Sequence, residues 1–138
     1  VYHASRTDDI IGKPFKARGR GPDAFGCEGL VYYFYDEILE RVLPAFDYET
    51  MAGYWQQSRY KFWRELQRRF QVLKEDGRLI RGDILVFDCP DANKPHFGIW
   101  LNDGNLFLHV LEGQTVQKTH FVHPWRSWCV IVLRLNDG

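Results

Sequence analysis

The sequence predicts an α+β fold in which N-terminal helices pack on a C-terminal antiparallel sheet. Three observations carry this. Apolar residues recur at helical spacing only in the first half, roughly residues 5–75. Residues 80–135 instead break into short β-branched and aromatic segments bounded by turn residues, and segregation of the two periods favours α+β over alternating α/β. Finally, Asn102-Asp103-Gly104 joins two of these segments, and Asp-Gly accepts the positive φ angles that a tight antiparallel hairpin requires.

In chain order, Ser5 to Ile11 reads as a short helix, with Ser5 or Thr7 as its cap and Gly12 as its stop. A loop containing Gly12, Gly19, Gly21 and Gly26 follows. From Cys27 to Val42, the positions Leu30, Val31, Phe34, Ile38 and Val42 keep helical spacing, and Pro44 marks the exit. Cys27 shares the face of Leu30 and Val31. A second helical stretch is expected from Tyr48 to Leu73, broken near Gly53. Its buried stripe is Phe62, Leu66, Phe70 and Leu73, and Gly77 is its C-terminal cap. Strands are expected at Asp83–Asp88, Phe97–Leu101, Leu106–Leu111 and Trp128–Leu135. The hairpin brings His96 and His109 to one end, since they lie seven and six residues from Asp103.

At 138 residues, with 45% hydrophobic residues, the chain suits a single domain spanning 1–138. Its formal net charge of zero supplies no field that would draw it to nucleic acid or anionic lipid. Charge is nevertheless segregated, with a net −5 over residues 28–50 and +5 over residues 59–81. This reads as two helices with opposite solvated faces that attract each other. No apolar run is long enough to span a bilayer, so membrane insertion is not expected. No signal-peptide pattern opens the sequence, which begins with Val rather than Met. Three cysteines make a poor disulfide framework. No CxxC or CxxH spacing suggests zinc, and His120 and His123 sit in an extended-looking segment, so neither a metal nor a cofactor is expected.

Cys27 has the best-defined chemical setting. A glycine-rich loop delivers it to the first turn of a helix, where unpaired N–H groups and the positive dipole end favour a thiolate and can hold an oxyanion. Taken alone, a cysteine there is more often a small buried hydrophobe. Gly29, one turn in, is a poor helix former and suggests close approach by another backbone or a substrate. His96 opens a strand and points opposite to Phe97 and Ile99. His109 lies inside the apolar run Leu106–Val110, where an imidazole is either satisfied in the core or serves a site. Contact between the two histidines would let the second fix the tautomer of the first. Cys129, within Trp128-Cys129-Val130-Ile131, reads as core packing.

Four co-linear segments then resemble one family. Ile11-Gly12-Lys13-Pro14-Phe15 followed by Phe25-Gly26-Cys27-Glu28-Gly29-Leu30-Val31 is similar to the nucleophile region of NlpC-type cell-wall peptidases, where Gly-x-Pro-Tyr precedes Asp-Cys-Ser-Gly-Leu-Val. Gly82-Asp83-Ile84-Leu85-Val86-Phe87, His96-Phe97-Gly98-Ile99-Trp100 and Phe107-Leu108-His109 resemble its later strands. The resemblance implies a papain-like fold with Cys27 as nucleophile, His96 as general base and then acid, and His109 as the orienting member. It implies hydrolysis of amide bonds in peptidoglycan stem peptides at the bacterial cell wall, typically between D-glutamate and a diamino acid. The loop spelling Arg18-Gly19-Arg20-Gly21 is most similar to members carried in phage tail-assembly proteins, which would make tail proteins partners.

Three departures bear on the substrate. Phe15 stands where the family has Tyr, so a hydroxyl close to the nucleophile is lost. Gly26 and Glu28 replace the Asp and Ser that help hold the free amine of the stem peptide, and Glu28 can restore a carboxylate from the neighbouring position. Phe15, Glu28, Arg18 and Arg20 are therefore the substrate-binding candidates, with solvated loop arginines as the plainer reading of the last two. The same departures motivate an alternative, a non-catalytic tail- or wall-binding module on this fold.

Overall fold

The computed structural model describes residues 6–44, 47–73 and 77–136. Among these, strands β1 (Phe70–Leu73), β2 (Ile84–Phe87), β3 (His96–Trp100), β4 (Leu106–His109), β5 (Gln117–His120) and β6 (Cys129–Leu135) form one sheet. Their order is β1-β6-β2-β3-β4-β5, and every neighbouring pair is antiparallel. The helices are α1 (Cys27–Tyr33), which runs on into a π-helical turn at Phe34–Leu39, then α2 (Tyr48–Gln57), α3 (Arg59–Gln67) and the short α4 (Trp125–Trp128). No helix among the described residues is long and apolar enough to cross a membrane.

The central strands are buried on both faces, which is why they read as continuous apolar runs rather than alternations. Ile84, Val86, Phe97, Ile99 and Leu108 meet Leu30, Val31, Phe34, Trp55 and Phe62 from the helices. Leu85, Phe87, Trp100, Phe107 and Phe121 form a second core on the opposite face, closed by Trp125 and Trp128 around α4. The Asn102–Gly104 turn joins β3 to β4 with Ile99 opposite Leu108, as the turn chemistry predicts. Asp83 accepts from the Arg134 guanidinium at 2.9 and 2.7 Å and from the Ile80 N–H at 2.9 Å, while the Tyr35 hydroxyl donates to the Gly82 carbonyl. The Gly82-Asp83 pair is thus a structural clamp tying the entry of β2 to β6 and the π turn.

Several boundaries differ from expectation. The helix expected to reach Val42 ends at Leu39, where Glu40 turns left-handed (φ 54°), and Val42 is 88% exposed rather than on the buried stripe. The stretch from Tyr48 to Leu73 is two helices and a strand. Its break falls at Ser58, whose extended backbone and side chain cap α3 by accepting from the Lys61 N–H. Gly53 lies inside α2. Phe70 is buried as part of β1, paired with Leu135 of β6, so the expected helix ends at Gln67 and does not run on to a cap at Gly77. The N-terminal helix is only a 3-10 turn at Thr7–Asp9, and Ser5 falls outside the described residues. Two elements went unanticipated, the polar edge strand β5 and the helix α4, which makes Trp128 a helical residue.

Candidate active site

Gly26 is the extended N-cap of α1, and its N–H donates to the Gly19 carbonyl at 2.9 Å. That carbonyl also lies against Gly29, where a Cβ would sit 1.8 Å from its oxygen. The close approach inferred for Gly29 is therefore made by the loop's own backbone, and it seats the loop on the first turn of α1 beside Cys27.

Across the cleft, the β3–β4 hairpin places His96 Nε2 2.9 Å from His109 Nδ1. His109 Nε2 in turn lies 2.8 Å from Thr119 Oγ1 on β5. Two proton arrangements satisfy the row, one the reverse of the other. In the first, His96 Nε2–H donates to His109 Nδ1, and His109 Nε2–H donates to Thr119, which leaves Nδ1 of His96 as its acceptor. Trp125 packs edge-on to His109, with centroids 4.7 Å apart, and Phe87 and Phe107 complete an aromatic surround. Burial in this surround lowers His96 to about 3, with help from His109, and lowers His109 to about 4. Both imidazoles are neutral at pH 7.

Cys27 and His96 line one cleft of about 230 Å³, together with Phe15, Arg18, Glu28, Tyr48 and Cys89. Tyr48 and the backbone of Phe97, the residue after His96, stand beside the Cys27 sulfur, and hydrogen bonding from them acts to lower the thiol. Glu28 Oε2 lies 3.6 Å from the sulfur. Burial first and the Glu28 carboxylate second push the thiol up to about 12, against the Phe97 and Tyr48 hydrogen bonds. The helix terminus alone suggested the opposite direction. Both shifts favour a thiol and a neutral imidazole at rest. Two larger hollows, of about 420 and 440 Å³, lie elsewhere, and no cysteine or histidine lines either of them.

The structure brings together Cys27, His96 and His109, with Phe15, Glu28 and Arg18 around them. Arg18 is at the rim, where its guanidinium pairs with Glu49 at 2.6 Å. Arg20 is not in this cleft. Its guanidinium stacks 4.3 Å above the Tyr32 ring and lines the 440 Å³ hollow instead. Cys129 is buried in the second core, as expected. Tyr48 and Thr119 were missed. Tyr48 reads as an ordinary residue at a helix start, and Thr119 lies in a strand without apolar alternation.

A family model described as the NlpC/P60 family matches residues 12–134. The chain belongs to the NlpC/P60 family. This NlpC/P60 chain is 30% identical over 122 residues to the probable endopeptidase YafL of Escherichia coli strain K12, a match that covers 87% of this chain and 43% of that protein. The chain thus spans less than half the length of that relative. In structure it is similar to the NlpC/P60 domain of the peptidoglycan hydrolase SagA, with a TM-score of 0.57 and 19% identity over 91% of this chain and 89% of that one. It is also similar to an NlpC/P60 family protein from Bacillus cereus ATCC 10987, with a TM-score of 0.64 and 14% identity over 96% of this chain and 41% of that one. These likenesses establish the α+β, papain-like fold expected from the sequence.

Proposed function

We propose that this NlpC/P60 chain is a cysteine peptidase that hydrolyses amide bonds in peptidoglycan stem peptides, of the D-glutamyl–diamino acid type. The observation that carries the reading is the shared cleft of Cys27 and His96, with His96 held by His109 at 2.9 Å. The relatives support the reaction class, one being a probable endopeptidase and another a peptidoglycan hydrolase. We further read residues 1–138 as one such domain, supported by the matched span of 12–134 and the single sheet.

The neutral resting pair favours general-base chemistry. The thiol proton passes to His96 Nδ1 as sulfur attacks the carbonyl carbon, and amides of the first turn of α1 receive the oxyanion. His96 then protonates the leaving amine, and water releases the acyl group. The arrangement in which His96 Nε2–H donates to His109 makes Nδ1 the base. For the substrate amine, Glu28 is the receptor. A Cβ at Gly26 would lie 3.3 Å from both Glu28 oxygens, so the carboxylate occupies the space a side chain at 26 would claim. Phe15 and Arg18 complete the proposed binding set.

One observation favours the second reading, a non-catalytic wall- or tail-binding module, because a thiol pushed up to about 12 is a poor resting nucleophile. The two readings separate on digestion of purified peptidoglycan, with fragments weighed by mass spectrometry. The hydrolase releases peptide fragments that reveal the bond cut, and Cys27→Ala releases none while its circular dichroism is unchanged. Equal release by Cys27→Ala refutes the assignment, and binding without release by the unaltered chain supports the module.

A further inference from the structure

We propose that Tyr48 is a catalytic residue: its phenol O–H turns from the Pro95 carbonyl to the Cys27 sulfur as the thiol proton leaves for His96, and so shares the negative charge of the attacking nucleophile. This rests on the hydrolase reading above.

Tyr48 is the first residue of α2, and its position is well determined. The side chain of Asp47, the N-cap, accepts from the Glu49 N–H at 3.2 Å and the Thr50 hydroxyl at 2.8 Å, which secures the helix start. The Tyr48 ring packs edge-on against Phe97 with centroids 6.0 Å apart. Its hydroxyl donates to the carbonyl of Pro95 at 3.0 Å, one residue before His96. Tyr48 lines the cleft with Cys27, and hydrogen bonding between the two groups acts to lower the thiol. Tyr48 therefore stands in the cleft with the nucleophile and holds the strand that carries its base.

The sulfur needs such a donor. Glu28, at 3.6 Å, opposes negative charge there, and burial removes water that would otherwise solvate it. Hydrogen bonding from the Phe97 backbone and from Tyr48 counters this. The other titratable groups on the cleft are Arg18 and Glu49, paired with each other, His96, and Cys89, Lys94 and Glu112. Burial and the neighbouring Cys27 push the Tyr48 phenol up, so it keeps its proton and remains a donor. At rest that proton is on a neutral carbonyl. A forming thiolate is the better acceptor, because hydrogen bonds to an ionised partner are roughly twice as strong. The proton inventory balances. The thiol proton goes to His96 Nδ1, the phenol keeps its own, the S–C bond forms, and the carbonyl π pair moves to oxygen.

The test uses the full chain with Tyr48→Phe, which keeps the ring and removes only the oxygen. Iodoacetamide alkylation of Cys27 is followed across pH by mass spectrometry, so that Cys89 is scored separately, and kcat and KM are measured on purified muropeptides. Loss of a hydrogen bond to a charged group predicts about tenfold slower alkylation at pH 8, with the midpoint moved up, and at least a tenfold fall in kcat with KM within about twofold. An alkylation profile that superimposes on the unaltered chain overturns the proposal whatever happens to turnover. Should Tyr48→Phe fail to fold, 3-fluorotyrosine at position 48 carries the test. As a stronger donor it should speed alkylation, and an unchanged or slower rate overturns the proposal. If alkylation shifts as expected but the unaltered chain cuts no muropeptide, the hydrolase reading fails while the action of Tyr48 on the sulfur stands.

Discussion

Glu28 is only 8% exposed, and its carboxylate faces a sulfur that must become negative during attack. Glu28→Gln keeps the shape and removes that opposing charge, so the thiol midpoint falls and alkylation of Cys27 at pH 8 becomes roughly tenfold faster. If the carboxylate also receives the substrate amine, KM for muropeptides rises in the same variant. A faster thiol with an unchanged KM would remove Glu28 from the binding set and leave its effect on the sulfur intact. At this scale the sequence was most informative where a local signal was also the tertiary fact. The glycine loop before Cys27 and the turn between His96 and His109 are both short-range devices, and each delivered its residue to the cleft. Tyr48 and Thr119 arrive by packing between distant segments, which no spacing rule reports. The thiol's direction was misread for the same reason. A helix start is visible in the sequence, whereas burial and the rotamer of Glu28 are not.

At the scale of elements, the join between loop and α1 depends on Gly29 having no side chain. A methyl there would enter the Gly19 carbonyl, so Gly29→Ala must displace the loop or the helix start, at a cost of about 3 kcal/mol for overpacking against backbone. Gly53, inside α2, offers the control, because a Cβ there meets nothing. Gly53→Ala should stabilise by about 0.5–1 kcal/mol through helix propensity and a less flexible unfolded chain. Urea unfolding of both variants checks the contrast, and a Gly29→Ala chain as stable as the parent would mean that the loop is not locked on α1. The same scale explains the misassigned stretch before β2. Phe62, Leu66, Phe70 and Leu73 fit a helical stripe, yet Phe70 and Val72 also fit strand alternation, and pairing with β6 decided for the strand. β5 was illegible because Gln117-Lys118-Thr119-His120 is a polar edge strand, as edges exposed to solvent tend to be.

For the whole molecule, the segregated charges do less than their pattern suggested. Among the described residues, Glu49 of the acidic stretch pairs with Arg18 of the loop, and Arg59 of the basic stretch pairs with Asp88 beyond β2. The ionisable groups with global consequences are instead the two buried histidines. In the unfolded chain each has an ordinary midpoint near 6.5, while the fold lowers His96 to about 3 and His109 to about 4. Below pH 6.5 the unfolded state therefore binds protons that the folded state refuses. Folding stability is fully present above 6.5 and is lost as pH falls toward the folded midpoints. The loss is on the order of a few kcal/mol between pH 6.5 and 4, a large share of the stability of a domain this size. Urea unfolding monitored by tryptophan fluorescence at pH 7.5, 6, 5 and 4 measures it directly. In His109→Asn the amide oxygen takes the place of Nδ1 and still accepts from His96, the bond to Thr119 is lost, and one fewer group titrates. That variant should lose less stability over the same interval. Equal slopes for the two chains would place the acid sensitivity elsewhere, and a flat profile for the parent would mean that the imidazole pair is hydrated rather than sealed beneath Trp125.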